Sequence, residues 1–400
     1  MNVERDGKDM RAMHASSGVA RKSVPFGAPV FDEREIQAVT EVLRGPILTH
    51  GPWGEKFEAL FAEFSGVKHA VALSSCTAGL HLSMMALGLG PGDEVIVPAQ
   101  THTATAHAPE LCGARAVFAD VDPATGNISV DEIERRITDR TRAIAVVHFL
   151  GLPCDMDAIM DLASRRGLPV IEDCALAVGT QYRGRAAGSI GLTGNFSFYP
   201  IKHIATGEGG MLTTNDDRVA GLVKKQRAFG IDRDVSQRSI PGVYDVKYLG
   251  NNYRMTEMQA ALGVVQMQKQ AEMMEKRRHN AAVLGAQLAA IPGIRLFRAP
   301  LTHETHSHYC LSIMLEKNPD LSRDRVILAL KDRGIGASIY YATPIPLMGY
   351  YREKYGYRRG DFPNAEFIAD QTISLPVGAH LQPGDVEYVA ESVANVLTQL

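Results

Sequence analysis

From Val24 onward, short apolar runs alternate with longer stretches of helical periodicity. The runs Ala70–Leu73, Glu94–Val97, Ala114–Asp120, Ala143–Val147, Pro169–Asp173, Asn195–Tyr199 and Gly210–Thr214 read as strands. Helical stretches such as Thr77–Leu87, Asp155–Arg165 and Asp217–Ala228 separate them. Strands spaced by helices predict a mostly parallel sheet covered on both faces. The last two runs are too close for a crossover, so they should pair antiparallel across the turn that carries Lys202. The expectation is an α/β fold: a large domain with a mixed, mostly parallel seven-stranded sheet, plus a smaller C-terminal α+β domain.

An amphipathic helix over about Thr256–Ile291 links the two, with Met258, Ala261, Leu262, Val265 and Met273 on its apolar face. Beyond it, strands are expected at His308–Leu315 and Ala337–Tyr341, and helices at Ser322–Gly334 and Pro383–Leu397. The expected division is a flexible tail over residues 1–23, a large domain over 24–269 and a small domain over 270–400.

Composition narrows the function classes. With 400 residues, 45% of them hydrophobic, the chain is too long for one compact core. A formal net charge of -3, with no dominant basic block, argues against nucleic acid as a partner. The five cysteines are scattered and form no Cys-x-x-Cys pair, which points to a reduced compartment and no zinc site. No apolar run is long enough to span a bilayer, and the N-terminal segment lacks the apolar centre of a signal peptide. A cytoplasmic protein without membrane partners is expected.

Lys202 stands between the apolar run Asn195–Tyr199 and the turn His203-Ile204-Ala205-Thr206-Gly207-Glu208-Gly209-Gly210. Burying an unpaired ammonium is costly. Two chemistries justify a lysine there: pairing with an anion, or loss of the proton and formation of a Schiff base. Upstream, Leu168–Asp173 reads as a buried strand ending in a carboxylate. An imine-forming lysine and an aspartate on a pyridine nitrogen are the essentials of pyridoxal-phosphate catalysis.

A phosphate seat is also legible. Val71–Leu73 runs through Ser74, Ser75, Cys76 and Thr77 directly into a helix, so the helix N-terminus is free to meet an anion. Ordinary Ser/Thr capping is the alternative there. Ser197 can bring a second hydroxyl to the same phosphate, and no Walker or Gly-x-Gly-x-x-Gly pattern competes.

An ordered set of motifs carries a family resemblance. It comprises Gly45-Pro46-Ile47-Leu48-Thr49-His50-Gly51-Pro52, Ser75-Cys76-Thr77-Ala78, Gly92-Asp93-Glu94-Val95-Ile96-Val97-Pro98 and Glu172-Asp173-Cys174-Ala175. Phe196-Ser197-Phe198, Lys202, Gly207-Glu208-Gly209-Gly210 and Asn252-Tyr253-Arg254-Met255 complete it. From Val24 to the C-terminus the chain resembles the pyridoxal-phosphate-dependent sugar aminotransferases of the DegT/StrS type, within the aspartate aminotransferase fold.

The resemblance implies roles. Lys202 is the Schiff-base lysine and proton shuttle, and Asp173 pairs with the pyridine nitrogen. Ser75, Cys76, Thr77 and Ser197 hold the phosphate, and His102 stacks on the cofactor where relatives place an aromatic ring. Asn252 reaches across a homodimer to the partner's cofactor phosphate, so the active sites are shared. The implied reaction moves an amino group from an amino acid, glutamate by expectation, to a keto sugar. Within the family the glutamate in Gly207-Glu208-Gly209-Gly210 leans toward 4-keto over 3-keto sugars, and a nucleotide-linked 4-keto-6-deoxy sugar is the expected acceptor. A 3-keto sugar or cyclitol ketone, or a non-catalytic regulatory relative, are the alternatives. Leu176 and Met348 depart from the family's pattern near the cofactor and the sugar.

Other polar residues receive blander readings. Glu172 should point to the opposite face of its strand from Asp173 and serve structure. His148, His203, His306 and His308 are expected to hydrogen-bond and not to ligate a metal. Arg233 and Arg254 could meet a diphosphate or form interface salt bridges.

Overall fold

The computed structural model describes residues 22–232, 240, 242–316 and 322–400. Residues 1–21 of the expected tail, and Arg233, lie outside the described residues. The first nine strands are β1 (His69–Leu73), β2 (Glu94–Pro98), β3 (Arg115–Ala119), β4 (Thr141–Val147), β5 (Val170–Asp173), β6 (Gln181–Tyr182), β7 (Arg185–Ala186), β8 (Thr193–Ser197) and β9 (Gly210–Thr214). Seven of them form one sheet in the order β1-β9-β8-β5-β4-β2-β3. Strands β3, β2, β4, β5 and β8 pair in parallel, while β9 is antiparallel to both β8 and β1. This is the mixed sheet expected from the spacing of the apolar runs. Its central strands are buried on both faces, as the continuous Ile/Val/Ala runs require.

Helix boundaries follow capping chemistry. Asp32 and Glu35 form a capping box on the helix Glu33–Arg44, and Thr256 and Gln259 form another on Glu257–Leu288. The latter has 32 residues, about 48 Å at 1.5 Å per residue. Among the described residues no helix is long and apolar enough to cross a membrane.

The C-terminal unit contains β10 (Ile294–Leu296), β11 (Glu304–Thr305), β12 (Leu311–Leu315) and β13 (Thr372–Leu375). The antiparallel sheet β10-β12-β13 packs under the helices Arg323–Asp332 and Asp385–Gln399, and β11 joins the β6-β7 hairpin of the larger unit. Two strand expectations are corrected. Ala337–Tyr341 contributes only one bridge, Ser338 to Ser374, and the third strand is Thr372–Leu375, whose short apolar run follows a helix without a turn signal. The strand expected from His308 begins at Leu311, because His308 adopts φ +50° and breaks the extended run.

Two observations bear on the expected division at residue 270. That position falls inside the helix Glu257–Leu288. At the other end of the chain Val24 bridges Ile335 and is buried among Leu284, Val326 and Leu330, so the first described segment packs with the C-terminal core.

Candidate active site

The parallel strands direct their C-terminal ends to one edge of the sheet, where crossover loops leave room for a ligand. Asp173 closes β5 at that edge and is 3% exposed. One carboxylate oxygen accepts Thr105 Oγ1 at 2.7 Å, and the other accepts the Ala175 N–H at 3.0 Å. Thr105 in turn contacts Thr101 Oγ1 at 2.8 Å. The two threonines sit one turn apart around the start of the helix Thr103–Leu111, a spacing that could have identified them in sequence. Cys76 Sγ lies 3.9 Å from Asp173.

Lys202 follows β8 in a turn whose backbone N–H bonds Tyr199 O at 2.9 Å. Its side chain is partly buried. Desolvation lowers its pKa to about 8, against the opposing pull of Cys76, Asp173 and Cys310. No carboxylate oxygen among the described residues lies within 4.0 Å of its amine.

Beside this pair stands the predicted anion seat. Ser75 caps the helix Cys76–Ala86, its Oγ accepting the Ala78 N–H at 3.0 Å. The capping reading of this loop is therefore observed, and the N–H groups of Cys76 and Thr77 have no intrahelical acceptor, as at any helix start. Ser197 ends β8 opposite Gly210, and Gly210 pairs with Leu73 at the end of β1. A Cβ on Gly210 would meet Ser75 and Cys76 backbone atoms at 2.3–2.5 Å, so only glycine lets these strands close against the loop. Ser197 Oγ has no hydrogen-bond partner among the described residues.

His102 caps the helix Thr103–Leu111, accepting the Ala104 N–H on Nδ1 at 3.2 Å, which leaves the other ring nitrogen to carry a proton. Desolvation lowers its pKa, and both Asp173 and Lys202 act on it electrostatically. Tyr341 meets its ring edge-on at 6.0 Å. Asn252 is exposed and accepts Arg254 Nε at 2.9 Å. The segment lies beside the anion loop, since Ser74 N–H bonds Tyr253 O at 2.8 Å. Arg254 packs over Phe229 at 5.1 Å. Leu176 is buried, and its carbonyl accepts Ser307 Oγ at 2.7 Å.

Lys202, Asp173, Cys76 and His102 thus share one cleft, flanked by Ser75, Thr77 and Ser197. These groups suit pyridoxal phosphate: an amine with no ion pair among the described residues, a pinned carboxylate, and a helix start closed against Gly210 beside the Ser197 hydroxyl, which is unpartnered among those residues.

Glu172 faces away from Asp173, as expected. It accepts the N–H groups of Gly188, Ile190 and Gly191 at 2.8, 2.8 and 2.6 Å, and lies 3.0 Å from His148 Nε2. Burial pushes this carboxyl up, but His148 and the three N–H groups outweigh it and hold the pKa below its usual value. Cys174 lies close enough for His148, Glu172 and Cys174 to resemble a metal cage. However, His148 Nδ1 accepts the Cys154 N–H at 3.1 Å, so Nε2 carries the proton and donates to Glu172. The carboxylate is already saturated, and the cluster is structural. His306 and His308 stack at 4.3 Å, and His203 Nε2 donates to Ser307 O at 3.1 Å.

The chain is similar to known proteins along most of its length. The profile described as the DegT/DnrJ/EryC1/StrS aminotransferase family matches residues 29–394. The spore coat polysaccharide biosynthesis protein SpsC of Bacillus subtilis is 40% identical over 382 residues, covering 94% of this chain and 97% of its own. The aminotransferase TlmJ of Streptoalloteichus hindustanus superposes with a TM-score of 0.86 at 35% identity, over 94% of this chain and 99% of TlmJ. Spr1654 of Streptococcus pneumoniae, solved in PLP and PMP forms, has 27% identity; its PMP form gives a TM-score of 0.89 over 94% of this chain and all of that one.

Proposed function

The chain belongs to the DegT/DnrJ/EryC1/StrS aminotransferase family, and from that membership we propose that it moves an amino group from glutamate to a nucleotide-linked 4-keto-6-deoxy sugar. The family is pyridoxal-phosphate-dependent. When bound, the cofactor supplies an aldehyde carbon to carry the nitrogen and a pyridine ring to draw electrons from the breaking C–H bond.

The observation that carries this reading is the shared cleft of Lys202 and Asp173 beside the anion seat. Lys202 Nζ would link to the cofactor when it is bound and, as a free amine, would take and return the proton of the reacting carbon. Both tasks need the neutral amine. A pKa of about 8 leaves roughly a tenth of it neutral at pH 7, against less than a thousandth for an ordinary lysine. Asp173 would accept the pyridine N–H of the bound cofactor, and Thr105 with the Ala175 N–H keep its oxygens in place. The N–H groups of Cys76 and Thr77, in the loop shaped by Ser75, would hold the phosphate with Ser197 Oγ. His102 would pack against the cofactor's ring.

Asn252 serves the partner's site in a cytoplasmic homodimer. Support comes from the apolar surface beside it: Val243, Tyr244, Val246, Tyr248 and Leu249 are exposed, Leu249 to 82%. By the family resemblance Glu208, in the turn after Lys202, supports the 4-keto assignment, and the carbohydrate role in SpsC's name supports a sugar acceptor.

Purified protein incubated with cofactor should show its visible absorbance and yield a borohydride-fixed adduct on Lys202. A panel of 4-keto and 3-keto nucleotide sugars and inosose, with glutamate as donor, tests the acceptor. Turnover confined to inosose or 3-keto sugars would overturn the assignment, and a colourless, adduct-free protein would point to the non-catalytic alternative.

A further inference from the structure

The amine of Lys202 has a neighbour that the reaction above leaves unused. Lys202 Nζ lies over the face of the Tyr309 ring, 4.7 Å from its centroid. Tyr309 is 3% exposed. Its hydroxyl pairs with Tyr340 Oη at 2.7 Å, and the two rings meet edge-on at 5.3 Å. Phe26 stacks on Tyr340 at 5.8 Å and meets Tyr309 edge-on at 6.2 Å. The Tyr309 backbone is held at both ends: its N–H bonds Leu150 O at 3.3 Å, and its carbonyl accepts Arg277 at 2.9 Å. Segments around residues 26, 309 and 340 therefore build one aromatic wall, and the hydroxyl pair fixes the far end of the Tyr309 ring within it.

We propose that Tyr309 is a positioning residue whose ring face seats the free ammonium of Lys202, keeping that amine in the cleft it shares with Asp173. The inference rests on the assignment of Lys202 as the cofactor-linking amine. An aromatic face attracts a cation through its quadrupole without presenting a negative charge. A carboxylate in the same place would hold the lysine more firmly but keep it protonated, which the chemistry cannot use. The ring orients the ammonium and still releases its proton.

The surrounding groups leave that task to the ring. Cys76, Asp173 and Cys310 act on Lys202, and His102 and His203 lie within its electrostatic reach. Burial pushes both thiols up and His203 down, so these stay neutral. Burial also drives the Tyr309 phenol far above its usual range. Asp173 is the one carboxylate in the set, and its oxygens are engaged by Thr105 and Ala175.

The test uses full-length apoprotein with Tyr309→Phe and with mono-, di- and trifluorophenylalanine at the same position. Fluorination drains negative charge from the ring face with little change in shape. The pH dependence of brief reductive methylation, read at Lys202 by peptide mass spectrometry, reports the titration of that amine without cofactor. Tyr309→Phe should titrate close to the parent. Each added fluorine should move the midpoint down, by about one pH unit, or tenfold in protonation equilibrium, at trifluoro. A flat series would overturn the seat, because a purely structural ring has no reason to track fluorine count. Borohydride fixing of pyridoxal phosphate on Lys202 in the unsubstituted protein tests the parent assignment separately: a missing adduct refutes that assignment, whereas a flat titration refutes the seat alone.

Discussion

Replacing Lys202 by methionine should make the apoprotein more stable at neutral pH. The side chains are similar in length, so the change removes the charge and keeps most of the packing. Desolvation lowers the Lys202 pKa from 10.5 to about 8. At 1.36 kcal/mol per pH unit, that drop corresponds to about 3 kcal/mol of strain in holding the cation in the folded state. Solvent at the partly exposed side chain reduces the cost, and roughly 2 kcal/mol should be recovered.

The sign follows from linkage. The unfolded chain binds more protons than the folded one between pH 8 and 10.5, so the lysine protein gains stability as pH rises through that window. The advantage of Lys202→Met should therefore be full below pH 8 and gone by about pH 10.5. Paired thermal or urea unfolding of the two apoproteins at pH 7 and pH 10.5 measures it, with every other titration common to both. A variant no more stable at pH 7, or an advantage unchanged at pH 10.5, would show that the amine sits in a water-like site.

Other substitutions test other parts of the cleft. Asp173→Asn should bind cofactor yet slow turnover by about a thousandfold, since a contact ion pair at an effective dielectric of 20 is worth ~4 kcal/mol; single-turnover rates near normal would refute the pyridine pairing. Gly210→Ala should weaken pyridoxal phosphate more than tenfold while affecting unphosphorylated pyridoxal little, because its Cβ strikes the Ser75–Cys76 backbone; equal losses for both would argue against the anion seat. Glu172→Gln should cost about 3 kcal/mol or more by turning an amide N–H toward buried donors; denaturant unfolding within 0.5 kcal/mol (roughly the surface-substitution range) of the parent would refute its structural role.

The large sheet was legible because its strands are buried on both faces and separated by periodic helices, so local pattern and tertiary environment agree. The C-terminal unit was less so. Thr372–Leu375 is short and joins a helix directly, and Ala337–Tyr341 has strand composition but pairs through one bridge only. Composition does not tell such segments apart until their neighbours are in place.

The cleft divides along the same line. Lys202, Asp173 and the loop from Ser75 to Thr77 announced themselves in sequence, because a buried charge and an open helix start carry their own physical cost wherever the chain folds. Thr105, which holds Asp173, left only a faint trace in its spacing from Thr101. The aromatic wall left none: Phe26, Tyr309 and Tyr340 are ordinary aromatic residues in three distant stretches, and no local rule says that their rings converge behind one amine. Sequence alone determined which chemistry the chain can perform, since that depends on residue types the fold must accommodate. Tertiary packing decided how the reactive nitrogen is held, since long-range contacts bring those rings together.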